Sequence, residues 1–110
     1  MTRRITLQQL KKYDVNQKIL ETLADAESRY LLFSTIKEEK AASELSAELN
    51  IPLSSVYKKL SALEDLALIT VRSTIDRSNN KRYKLYRSLI SAATIDITEP
   101  EAKLAITGIE

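Results

Sequence analysis

One glycine and two prolines in 110 residues leave this chain few ordinary places to turn. They are Gly108, Pro52 and Pro100, so most reversals must fall on Asn, Asp and Ser, which tolerate a left-handed backbone better than other non-glycine residues. Asn50, Asp76 and the Asn79-Asn80 pair are the expected turn points. Between them the hydrophobic period is readable and the segments are well bounded.

From Asp14 to Ala24, the residues Val15, Ile19, Leu20 and Leu23 recur at helical spacing, with Lys18 and Glu21 opposite. A second helix is expected from Asp25 to Lys37. Tyr30, Leu31, Leu32, Phe33 and Ile36 give it a wide apolar face, and Asp25 and Glu27 suit its N-terminal dipole. Ala42, Leu45 and Leu49 mark a two-turn helix that stops at Asn50. Pro52 then opens another helix, whose stripe runs through Val56, Leu60 and Leu63 to Asp65. There the period changes. Ile69, Val71, Ser73 and Ile75 alternate with Thr70, Arg72 and Thr74 as in a strand. After a turn over residues 76–80, Tyr83, Leu85 and Arg87 alternate with Arg82, Lys84 and Tyr86 in a returning strand. Ile95 and Ile97 against Leu104 and Ile106 suggest a further hairpin around residues 98–101.

The size fits one domain. The expected class is mainly α with a β-hairpin wing (α+β), a winged helix-turn-helix with an extra C-terminal β-hairpin. Residues 1–13 read as a basic N-terminal arm, 14–90 as the domain, and 91–110 as a C-terminal strand or hairpin suited to dimerisation. The short turn Asn50-Ile51-Pro52, small Ser46 and Ala47 where two helices approach, and Val56 and Leu60 spaced to meet Leu45 and Leu49 all agree with that plan.

Composition removes several classes of function. Without Cys or His there is no disulfide, no zinc or iron–sulfur ligation in its usual form, no Cys or His nucleophile and no imidazole base. No catalytic motif or glycine-rich phosphate loop is present, so the chain is not expected to be an enzyme, nor to need a cofactor or a metal. The apolar runs are far too short to span a bilayer, and the N-terminus lacks a signal-peptide core. A soluble cytoplasmic protein is expected.

A net charge of +2 conceals a marked segregation. Residues 1–19 carry +4, residues 20–50 carry −4, residues 51–90 carry +5 and residues 91–110 carry −3. The third block covers the helix after Pro52 and the hairpin beyond it. Its two readings are a footprint for a polyanion and an ordinary solvated face.

The segment from Ala42 to Glu64 (ASELSAELNIPLSSVYKKLSALE) resembles the helix-turn-helix of ArsR-like winged-helix transcriptional regulators, including small archaeal members. Asp65-Leu66-Ala67-Leu68-Ile69 is similar to that family's lead into the wing, and the likeness spans roughly residues 25–90. Asn50 stands where the family commonly has Gly, and Ser46 where it has Ala. Metal-sensing members use Cys or His, so that role is excluded here in its usual form.

The resemblance implies sequence-specific binding of double-stranded DNA. The recognition helix, about 53–65, would enter the major groove with Leu53, Ser54, Ser55, Tyr57 and Lys58 near its leading end. The wing, about 76–82, would bring Arg77, Asn79, Lys81 and Arg82 to backbone or minor groove on a flexible tip, with Arg72 on its outer face beside Lys84. The plainer alternatives are that Ser54 and Ser55 cap the helix, that Tyr57 packs at its base, and that the wing is a solvated basic ribbon. Lys59 is expected to lie along the flank. A homodimer is expected through residues 14–24, the tail, or both. The rival functions are a winged-helix protein–protein interaction module and, with few aromatics for base stacking, RNA binding.

Overall fold

The computed structural model describes residues 14–109. The expected basic arm over residues 1–13 lies outside them. Among the described residues four helices come first: α1 (Val15–Ala24), α2 (Ala26–Phe33), α3 (Ala42–Leu49) and α4 (Leu53–Asp65). Two antiparallel hairpins follow, β1 (Ile69–Asp76) with β2 (Lys81–Ser88), then β3 (Ile90–Asp96) with β4 (Lys103–Gly108).

Each helix stripe closes on one core. Leu31 and Leu32 of α2, Leu45 of α3, and Val56, Leu60 and Leu63 of α4 are all 0% exposed. Burying such a side chain contributes roughly 1.5–3 kcal/mol, so this cluster dominates the fold's stability. From α1, Ile19 and Leu23 join the core while Val15 stays exposed. Ser46, expected at a close helix approach, is half-buried and donates its hydroxyl to the Ile51 carbonyl at 2.6 Å, which ties α3 to the turn. Ala47, expected beside it, is exposed instead, because the contact runs through Leu45 and Leu49 on the next face of α3.

The turn chemistry follows the sequence at most positions. Asn50 takes the left-handed conformation (φ 56°, ψ 46°), and Asn80 does the same in the wing turn (φ 57°). At the wing tip Asp76 accepts from the Ser78 backbone N–H (2.9 Å) and hydroxyl (2.6 Å), and Asn79 accepts from the Lys81 N–H (2.9 Å). The two Ser78 bonds hold down the carboxyl pKa of Asp76, and the three together close the turn at the tip. A third left-handed residue, Ala67 (φ 57°), was not foreseen. It ends α4 in a Schellman arrangement, with Leu68 N–H donating to the Leu63 carbonyl (3.0 Å) and Ala67 N–H to that of Glu64 (2.9 Å).

Three other expectations are corrected. α2 ends at Phe33, not Lys37. Thr35 is buried there with its hydroxyl within reach of the Leu31 and Leu32 carbonyls (3.1 and 3.0 Å), and Lys40 must run extended to bridge Tyr86. In β2 the core-facing residues are Tyr86 and Ser88, not the set Tyr83, Leu85 and Arg87. Tyr86 pairs with Val71 and Ser88 with Ile69, so one buried face fixes the register of both strands. The last hairpin begins earlier than expected, at Ile90, which is buried in the same core, and Ile97 falls beyond β3. The second hairpin is rooted through Leu89, which donates to the Leu68 carbonyl (2.9 Å) and accepts from Ile109 (3.0 Å).

Candidate nucleic-acid interface

The packing of α4 decides which side chains can reach a ligand. Val56, Leu60 and Leu63 turn inward, which turns Leu53, Ser54, Tyr57, Lys58 and Ser61 outward. Leu53 is 42% and Tyr57 46% exposed. Pro52 occupies the N-cap and gives no side-chain cap, and among the described residues neither Ser54 nor Ser55 uses its hydroxyl in a hydrogen bond. The two serines therefore do not cap the helix, and Tyr57 does not pack beneath it.

A carboxylate clamp fixes the pose of α4. Asp25, the N-cap of α2, accepts from Ser28 N–H (3.1 Å), Ser28 hydroxyl (2.7 Å) and Lys59 Nζ (2.6 Å), and Glu27 lies 3.5 Å from the same ammonium. The hydrogen bond from Lys59, more than any other influence, lowers the Asp25 pKa from 3.8 to about 2, while Asp25 raises that of Lys59. Lys59 thus lies along the flank as expected and serves as a strut.

The wing's two faces differ. Cross-strand pairs Val71–Tyr86, Ser73–Lys84 and Ile75–Arg82 share the inner face; Thr70–Arg87, Arg72–Leu85 and Thr74–Tyr83 share the outer. Arg72 and Lys84, expected side by side, therefore lie on opposite faces. Arg72 donates to Glu39 at 2.6 Å and is already neutralised. Arg77, Asn79, Lys81 and Arg82 are all exposed at or beside the tip, although the Asn79 carbonyl is engaged in the turn.

The structure brings together more than the sequence suggested. A groove of about 430 Å³ between the start of α3, α4 and β2 is lined by Ser43, Tyr57, Arg82, Tyr83 and Lys84. Ser43, Tyr83 and Lys84 were not among the candidates. Lys84 was detectable, lying two residues from Arg82 and so on the same strand face; Ser43 needed the tertiary fold. A second crevice, of about 450 Å³, runs along the other flank of α4 past Ser55, Lys58, Lys59 and Glu27. Among the described residues there is no cluster of three or more side chains able to hold a metal ion, and no helix long and apolar enough to cross a membrane.

No protein-family model matches the chain, and no curated protein is similar enough to match. Solved structures are. The chain is similar to reduced HlyU from Vibrio cholerae N16961, at 18% identity and a TM-score of 0.56, over 76% of this chain and 81% of that one. It is likewise similar to NolR from Sinorhizobium fredii, at 20% identity and a TM-score of 0.56, over 79% of this chain and 81% of that one. Identities this low speak to the arrangement of helices and hairpins and to nothing finer. By that arrangement, this chain has the winged helix-turn-helix fold.

Proposed function

We propose that the protein is a transcriptional regulator that binds double-stranded DNA sequence-specifically, with α4 in the major groove and the wing on backbone or minor groove. One observation carries the reading. Lys18, Lys40, Lys59 and Arg72 each lie within 4.0 Å of a carboxylate. Lys58 of α4 and Arg77, Lys81, Arg82, Lys84 and Arg87 of the wing have no such partner among the described residues. Lys59 of α4 and Arg72 of the wing are paired, yet of the nine described cations in no ion pair six lie on α4 or the wing, the others being Arg29, Lys37 and Lys103. A polyanion answers that arrangement, and Lys58 and Tyr57 stand where base edges and thymine methyls would be met.

The same reading includes a homodimer. Ile19 and Leu23 of α1 are turned into the chain's own core, which leaves the second hairpin as the surface that supports association. Its pairs Ala93–Ile106 and Ile95–Leu104 form one apolar face, rooted by Ala93 and Leu104, yet Ile95, Ile97 and Ile106 remain 41%, 71% and 38% exposed. A two-stranded hairpin is marginal by itself, and a two-fold axis through this face would pair two recognition helices for a palindromic site.

Replacing Lys58, Arg77 and Arg82 together by Ala tests the DNA reading on random duplex over a salt series. If about six cations meet phosphates, the slope of log affinity against log salt is near −5, and the triple variant should flatten it by about 2.7. An unchanged affinity and slope would leave the protein-interaction alternative standing instead.

A further inference from the structure

We propose that the crevice between the α1–α2 corner and the flank of α4 binds a free α-amino acid with an apolar side chain, and that its occupancy opposes duplex binding. The site stands on its own geometry; the effect on the duplex rests on the DNA reading above.

The crevice encloses about 450 Å³, within the range of small-molecule sites. Ser55, Lys58, Lys59 and Ala62 follow one another at i, i+3, i+4 and i+7, so one flank of α4 forms a wall. Glu27 enters from α2, and Ile51 and Pro52 from the turn before α4. Three kinds of group meet there. Lys58 has no carboxylate partner among the described residues, and the half-buried Ser55 hydroxyl makes no hydrogen bond among them. Glu27 is engaged only in part. Lys59 Nζ lies 2.6 Å from Asp25 and 3.5 Å from Glu27 Oε1, which leaves Glu27 Oε2 without a partner among the described residues. Ile51, Pro52 and Ala62 supply the apolar surface.

That combination selects the ligand. A phosphate or a plain carboxylate would be drawn to Lys58 and would then face the Glu27 carboxylate; a plain amine would face Lys58. A zwitterion answers both. Its carboxylate accepts from Lys58 Nζ and the Ser55 hydroxyl, its ammonium donates to Glu27 Oε2, and its side chain covers Ile51, Pro52 and Ala62. Lys58 and Glu27 sit on flexible stems and can close on charges carried by neighbouring carbons. The consequence for DNA is direct. The major groove is about 12 Å wide and a helix with its side chains about 10–12 Å across, so a bordering strand must pass the flank that the ligand fills. Ligand and duplex then compete for the Lys58 ammonium, and each weakens the other by the same factor.

The test titrates the full chain, without DNA, with L-valine, L-leucine, L-isoleucine, L-methionine and L-phenylalanine by calorimetry. At least one should bind saturably at millimolar concentration or below. The N-acetyl and amide forms of the tightest, each lacking one charge, should bind about tenfold more weakly. Lys58→Gln and Glu27→Gln should each lose about tenfold, and Lys103→Gln, on a remote unpaired cation, nothing. No saturable binding by any of these amino acids, or undiminished binding of a blocked form or by Glu27→Gln, would overturn the site. On random-sequence duplex over a salt series, saturating ligand should lower affinity several-fold and flatten the slope by about 0.9, and should change neither in Lys58→Gln. A ligand that bound yet left duplex affinity unchanged would overturn the opposition. Native protein that bound no duplex would remove the DNA reading, while the titrations without DNA would still decide the site.

Discussion

Removing Asp25 should loosen α4 from the rest of the protein, and the size of the effect can be worked out. The side chain does two jobs: it caps α2 through Ser28 and it holds Lys59 of α4 at 2.6 Å. Losing an N-cap costs about 1 kcal/mol. The fall in pKa from 3.8 to about 2 is worth about 2.4 kcal/mol at face value. Asp25 is 38% exposed and part of the shift belongs to the Ser28 cap bonds already counted, so screening and that share leave about 1 kcal/mol for the charge, in keeping with measured pairs of this kind. Asp25→Ala should therefore lose about 2 kcal/mol, or roughly 8–10 °C in Tm for a domain this size. Asp25→Asn keeps an able cap and loses only the charge, so about 1 kcal/mol. The two also separate by pH. The folded pKa lies below the unfolded one, so the charge contribution is complete above about pH 5, declines as pH falls through 3.8, and is gone below about 2. Urea melts of native protein and Asp25→Asn from pH 7 to pH 2 should converge at the acid end. A gap that persisted at pH 2, or none at pH 7, would refute the clamp.

Other variants probe other parts. Leu60→Ala empties a fully buried site between α4 and α3, and chemical denaturation should show a loss of about 2–5 kcal/mol. Ala67→Gly relieves a left-handed alanine at the end of α4, and should gain about 0.5 kcal/mol in the same measurement. Ile97→Ser with Ile106→Ser should leave the melting of the core unchanged while sedimentation shifts from dimer to monomer; a native protein that sediments as a monomer at high concentration would remove the dimer altogether.

How much of this was legible beforehand depends on how local each cause is. The stripe Val56, Leu60 and Leu63, the turn at Asn50 and the wing turn at Asn79-Asn80 rest on neighbouring residues, and their elements and turns were foreseen. The end of α2 was not, because Thr35 is buried only once β2 closes over it, as the Ser88 N–H to Thr35 carbonyl bond (3.3 Å) shows. Ala67 gave no warning, since alanine has no preference for a left-handed cap. The facing of β2 was misjudged because Tyr86, which has a polar tip and an apolar body, can sit on either side of an alternation. Ion pairs lie deepest. Lys59–Asp25 and Arg72–Glu39 join residues 34 and 33 apart, and they decide which cations remain free. Charge counts along the sequence located the basic block, and only the fold could divide it into struts and open contacts.

α4 is built against its own stability at both ends. Its first turn has no acidic residue and no side-chain cap, while Glu64 and Asp65 occupy the last turn, where the helix dipole disfavours negative charge by about 0.3–1 kcal/mol each. That arrangement makes sense for a helix whose leading end must stay open to phosphate and whose trailing end must stay clear of it. It implies an opposition that a purely structural helix would lack. Ser54→Asp puts a carboxylate beside the free N–H groups of the first turn and should raise stability by about 0.5 kcal/mol, or roughly 2–3 °C. The same charge would confront the duplex at the point of entry, so affinity should fall at least tenfold. Thermal melts and duplex titrations of this one variant give the two signs together. If Ser54→Asp bound duplex as tightly as the native protein while melting higher, the leading end of α4 would not be the end that enters the groove.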